Sequence, residues 1–207
     1  HCVTRRQRQM CIRDSPIDRL NPVHDTSVAL MEAAQELGHE VWITEINQLT
    51  IINSQAWARI KRTNLIPIER IENNWVASNP WYDLEKTIIE PLESMDAVFM
   101  RQDPPVTIPY LYATYLLDYI NPEKTLVINS PQGLRAANEK MYALQFTKVI
   151  PQTIVSEDKQ VIRNFLDSQE AVVLKPLGGK AGEGILFLEP TDINFNSLIE
   201  ILSLIHI

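Results

Sequence analysis

Residues 171–189 read AVVLKPLGGKAGEGILFLE. Two apolar runs, Ala171 to Pro176 and Ile185 to Glu189, flank a window in which four of the chain's six glycines fall within seven positions, Gly178 to Gly184. Short apolar runs bounded by turn residues predict strands, and two strands joined by so short a loop predict an antiparallel pair. Glycine opens backbone angles closed to other residues and lets amide N–H groups approach a ligand closely. Successive amides turned into one concavity make an anion nest. The window is neither GxGxxG nor GxxxxGK[ST]: Leu174 stands where the second pattern needs its first glycine, and a strand rather than a helix follows. The pattern predicts a glycine flap over phosphates, with Gly178, Gly179, Lys180, Gly182 and Gly184 at its tip; the plainer reading is a flexible hairpin. Lys175 ends the first strand, where a compact ammonium suits phosphate oxygens, although a lysine at a strand end is more often merely solvated.

Working outward, Thr153 to Val155 predicts a strand, Lys159 to Asp167 a helix, and Asn194 to Leu202 the start of another. Before Pro151 the order differs, because strands and helices alternate. Asp25-Thr26-Ser27 offers N-cap oxygens, Val28, Met31, Ala34 and Leu37 recur at helical spacing, and Gly38 suits a left-handed C-terminal residue. His39 to Ile46 predicts a strand and Ile51 to Leu65 a hairpin turning at Asn53-Ser54, while Asn73 to Leu84 reads as a loop. Met95 to Met100 predicts a buried strand and Thr125 to Asn129 another strand. Between them, Ile108 to Ile120 is apolar on almost every face and predicts a core helix, and Pro131 opens a short helix. Alternation of this kind implies an α/β fold with a mostly parallel, Rossmann-like sheet over residues 16–150, followed from 151 to 202 by a second, α+β domain.

The chain has 207 residues, 45% of them hydrophobic and 22% charged, the balance of a soluble globular protein. A formal charge of −7 argues against a nucleic-acid partner, and no apolar run approaches the roughly 20 residues that span a bilayer. The expected compartment is the cytoplasm. Both cysteines and four arginines lie in residues 1–15, which carry a formal +3 and leave −10 on the rest. That segment shows no hydrophobic period and no signal-peptide core. Residues 1–15 and 203–207 are therefore expected to be extraneous to the fold.

The ordered series Pro16-Ile17, Asp25-Thr26-Ser27, Met100-Arg101-Gln102-Asp103-Pro104-Pro105, Tyr112 to Leu117, Asn129-Ser130-Pro131-Gln132-Gly133-Leu134-Arg135, Asn138-Glu139-Lys140 and Leu174-Lys175-Pro176-Leu177 with the flap resembles the prokaryotic glutathione synthetases of the ATP-grasp superfamily. The resemblance implies a pre-ATP-grasp domain followed by a partial ATP-grasp domain. It implies an ADP-forming carboxylate–amine ligase that joins γ-glutamylcysteine to glycine through an acyl phosphate, with ATP and Mg2+. Other implied properties are small-molecule partners and a homo-oligomeric parent protein.

By the same resemblance Lys140 and Lys175 match the nucleotide lysines, although Asn138-Glu139-Lys140 alone reads as an exposed helix turn. Gly178 and Lys180 depart from the Asp and Met common in the family. Lys180 either adds charge toward the phosphates or faces solvent. Arg101 and Asp103 follow a strand at the edge where open α/β sheets bind ligands. Arg101 either grips the dipeptide carboxylate or pairs with Asp103. Asp25 and Ser27 are candidate substrate residues, with helix capping the commoner role. The family's opening strand is replaced here by Cys11 to Ser15, and its metal-binding acidic residues are expected beyond Leu202. The 207 residues are thus expected to be inactive alone. A different carboxylate–amine ligase of this fold and a non-catalytic nucleotide-binding fragment are the competing readings.

Overall fold

The computed structural model describes residues 9–13, 16–102, 106–178, 182 and 184–203. Two compact units divide between Arg135 and Ala136. That is fifteen residues before the change of pattern at Pro151, because Lys140, Ala143 and Leu144 share a cavity wall with residues of the glycine hairpin.

The first unit runs β1 (Gln9–Arg13), α1 (Thr26–Glu36), β2 (Glu40–Thr44), β3 (Leu49–Ile52), β4 (Gln55–Leu65), β5 (Glu69–Ile71) and β6 (Asn74–Val76). It continues through β7 (Tyr82–Leu84), β8 (Ile88–Pro91), β9 (Ala97–Met100), α2 (Ile108–Leu117), β10 (Leu126–Ile128) and α3 (Pro131–Ala136). The main sheet has the order β10-β9-β1-β2-β4-β3, with β7 and β8 also paired to β4. β10, β9, β1 and β2 run parallel, while β4 runs antiparallel to β2, β3, β7 and β8, so the sheet is mixed.

β1 corrects the sequence reading most. Gln9 to Arg13, set aside as extraneous, is the central strand, with Cys11 paired to Trp42 on one side and Val98 on the other. Chain direction through β1–α1–β2 and β9–α2–β10 runs opposite ways from this centre. Right-handed crossovers then put the helices on opposite faces. Met10, Val41 and Leu65 accordingly pack on Val28, Met31 and Ala34 of α1, while Cys11, Val98 and Met100 share a second core with Tyr110 and Leu117 of α2. Full burial of side chains of this size contributes roughly 1.5–3 kcal/mol each.

Two further expectations change in the first unit. α2 buries Tyr110, Ala113, Thr114 and Leu117 but exposes Ile108, Tyr112 and Tyr115, so it is a half-buried surface helix, its tyrosines being compatible with water at their hydroxyl ends. Asn73 to Leu84 is not simply a loop: β6 pairs with β5 and β7 with β4. The hairpin at Asn53-Ser54 forms as read, both residues taking positive φ (50° and 59°), the geometry of a type I′ turn. Among the described residues no helix is long and apolar enough to cross a membrane.

The second unit holds α4 (Glu139–Tyr142), α5 (Lys159–Asp167), β11 (Val172–Leu174), β12 (Leu186–Leu188) and α6 (Phe195–Ser203). β11 and β12 pair antiparallel, and their inner residues Leu174 and Leu188 pack on Ile162 and Leu166 of α5 and on Phe195 and Ile199 of α6. Thr153 to Val155 is not a strand: β-propensity at this triplet finds no pairing edge among the described residues, and the segment lines a cavity instead.

Candidate functional site

In the second unit, Asn138 caps α4 by accepting from the amides of Lys140 (3.1 Å) and Met141 (3.0 Å). The cap fixes the turn from which Lys140 projects, and its ammonium donates to the carbonyl of Leu177 at 3.3 Å, one residue before the glycine window. Lys175, exposed, stands just past the end of β11. Both lysines line one cavity of about 980 Å³, together with Gly182 and with apolar walls that include Ile150, Val155, Val173 and Ile185. Gly182 and Gly184 take φ of +82° and +70°, backbone that side-chain-bearing residues adopt only with strain. Gly178 and Gly182 have no heavy atom within 4 Å of where a Cβ would stand, so conformation rather than close packing favours glycine at Gly182. Gly179 and Lys180 lie outside the described residues.

Two ammonium groups, glycine amides and an apolar wall form a donor set suited to a ligand with a flat apolar part and an anionic tail. A divalent cation is a different matter. Among the described residues no group of three or more His, Cys, Asp or Glu is placed to hold one.

In the first unit, Arg101 leaves the carboxyl end of β9, beside β1, where the chain direction reverses and open α/β sheets form their crevice. Its Nε donates to Ser27 Oγ at 3.4 Å, and a terminal nitrogen donates to Thr26 Oγ1. Asp25 caps α1, its Oδ1 accepting from the Ser27 amide at 2.8 Å. The capping role of Asp25 is therefore filled in this geometry, Ser27 is buried, and Arg101 is partly accessible beside the positive end of a helix. Asp103 lies outside the described residues. Thr26 escaped the sequence reading because its hydroxyl was counted only toward capping; the arginine after β9 was the available signal. Arg135 is tied within the first unit, donating to Asp118 Oδ2 at 2.7 Å and Thr114 Oγ1 at 3.1 Å and stacking 4.4 Å from the Tyr115 ring centroid.

Comparison with known proteins fits both units. The model of the prokaryotic glutathione synthetase N-terminal domain matches residues 9–135, and that of the prokaryotic glutathione synthetase ATP-grasp domain matches residues 139–206. The chain is 62% identical over 186 residues to glutathione synthetase of Nostoc sp., covering 90% of this chain and 57% of the relative. It is 58% identical to the Synechocystis sp. glutathione synthetase, covering 90% and 58%. Among solved structures, the ATP-grasp ligase PsnB, complexed with a phosphomimetic variant of minimal precursor, Mg and ADP, is similar at a TM-score of 0.53 and 16% identity, covering 94% of this chain and 61% of that one, a likeness of fold alone. The chain thus spans somewhat under three-fifths of the length of these curated relatives. With one family model matching the sheet of the first unit and the other the glycine hairpin of the second, the chain belongs to the prokaryotic glutathione synthetase family.

Proposed function

We propose that this chain takes part in the ATP-dependent joining of γ-glutamylcysteine to glycine, giving glutathione, ADP and phosphate. One observation carries the reading: Lys140 and Lys175 line a single cavity beside the glycine hairpin, with apolar walls for a base and two cations for a phosphate tail. Lys140 and Lys175 neutralise phosphate charge, and the amides of Gly178, Gly182 and Gly184 approach it, Gly179 and Lys180 being assigned to the same nucleotide site. Phosphoryl transfer depends mostly on such positioning and charge neutralisation. Mg2+ bound with the nucleotide would neutralise the γ-phosphate further. A closed hairpin also keeps water from an activated carboxyl group. At the edge of the first unit, Arg101 takes the dipeptide carboxylate in bidentate fashion beside Asp25 and Ser27 at the start of α1, and Asp103 is assigned to the same substrate set. Cytoplasmic placement and a homo-oligomeric whole protein belong to the same proposal.

Because the chain spans 57% of its Nostoc relative, the full reaction is assigned to a protein of the relatives' length, and the 207 residues are expected to bind without turnover. Incubation with ATP, Mg2+, γ-glutamylcysteine and glycine tests this. Nucleotide binding without ADP release is the expected result, whereas ADP release overturns the assignment of later steps to other residues. A protein of full relative length that accepted other carboxylates and amines, and not this pair, would favour a different ligase of the same fold.

A further inference from the structure

We propose that a second, smaller cavity in the first unit binds a zwitterionic α-amino acid with an apolar side chain. The cavity measures about 300 Å³ and lies at the carboxyl ends of β1 and β2, the edge at which α/β sheets take ligands. Its floor is apolar: Ile17 and Leu20 from the segment after β1, Met31 from α1, Ile43 from β2 and Leu84 from β7. Its charged groups are of both signs: Glu45, Lys61 and the exposed Asp18. Glu45 follows β2 directly, and Lys61 sits on β4 as the cross-strand partner of Ile43. Neighbours across an antiparallel pair stand about 5 Å apart, so Ile43 backs the lysine stem and the ammonium is left for the cavity.

Glu45 and Lys61 are both half-buried, and among the described residues neither side chain takes part in an ion pair or hydrogen bond. Asp18 is exposed to water, whereas Glu45 and Lys61, sharing one small cavity without pairing to each other, are both partly desolvated and uncompensated. A ligand carrying a carboxylate and an ammonium on one carbon compensates both at once, Lys61 donating to the carboxylate and Glu45 accepting from the ammonium. The apolar floor then selects an aliphatic or thioether side chain. A volume near the lower end of small-molecule pockets excludes a nucleotide. Arg101, Asp25, Ser27 and the two nucleotide lysines do not line this cavity. The proposal therefore stands apart from the nucleotide reading.

Titration of the chain with L-methionine, L-methionine methyl ester and N-acetyl-L-methionine, followed by calorimetry, tests it. Saturable binding of L-methionine is expected, with the ester and the N-acetyl compound each weaker by about tenfold or more, since each lacks one charge-assisted contact. Lys61→Met should abolish the preference over the ester and Glu45→Gln the preference over the N-acetyl compound, while binding of a fluorescent ATP analogue is unchanged in both. If Lys61→Met shifts the melting midpoint, Lys61→Gln serves in its place. Absence of saturable binding by L-methionine, equal binding of all three compounds, or unchanged preferences in the variants would each overturn the proposal.

Discussion

The ammonium of Lys140 and the carbonyl of Leu177, 37 residues apart, are joined by a 3.3 Å hydrogen bond that ties the turn at α4 to the base of the glycine hairpin. A lysine so placed anchors the hairpin, and under the proposed function it also presents charge to an anion. Lys140→Ala is expected to speed hydrogen exchange at the amides of Gly178 and Gly184, by roughly fivefold for a lost contact of about 1 kcal/mol. Lys175→Ala, with no such anchor to lose, is expected to leave exchange unchanged. Exchange mass spectrometry on peptides covering the hairpin separates the two.

Gly182 holds φ +82° with open space around it. Alanine there meets no clash but is held in left-handed backbone, at a cost of about 1–2 kcal/mol. Gly182→Ala is therefore expected to weaken nucleotide binding about fivefold or more while leaving the melting of the first unit unaltered. Paired binding and melting measurements check this.

Cys11 is fully buried at the centre of the main sheet. Cys11→Asp places a carboxyl in the apolar core shared with Tyr110 and Leu117 of α2, where burial of a polar group costs several kcal/mol, and is expected to unfold the first unit. Cys11→Ala, close in volume, should cost far less. Circular dichroism melting of the two variants gives the comparison.

Glu93 accepts a 2.6 Å hydrogen bond from Lys124, and that ammonium holds its carboxyl below the ordinary value of 4.5. A carboxyl lowered by folding contributes stability that is fully present above the unfolded value and is lost as pH falls through the folded one. Glu93→Gln is thus expected to lower the melting midpoint at neutral pH, with the difference from the parent chain shrinking as pH drops below about 4.5. A difference that stayed constant down to strong acid would contradict this account of the pair.

Legibility in the sequence followed the range of the interactions involved. The glycine hairpin, Asp25 at its cap, the Asn53-Ser54 turn and α5 rest on contacts within a few residues, and each was readable from local pattern. β1 was not: Gln9 to Arg13 carries arginine and glutamine, and it becomes a strand because β2 and β9, distant in sequence, offer it edges on both sides. Thr153 to Val155 erred the opposite way, with β-propensity but no pairing edge among the described residues. The tyrosines of α2 counted as apolar although their hydroxyls tolerate water. At the candidate site the charged groups were visible in the sequence. The apolar walls contributed by Ile150 and Val155 were not, because nothing local distinguishes a cavity wall from a core.

Binding of a fluorescent ATP analogue to the chain, to Lys140→Ala, to Lys175→Ala and to the double variant bears most directly on the nucleotide cradle. The account predicts saturable binding by the parent chain, about tenfold loss for each single variant and a further loss for the double, with each tenfold step corresponding to about 1.4 kcal/mol. Parent-like affinity in the double variant, with its fold intact, would contradict it.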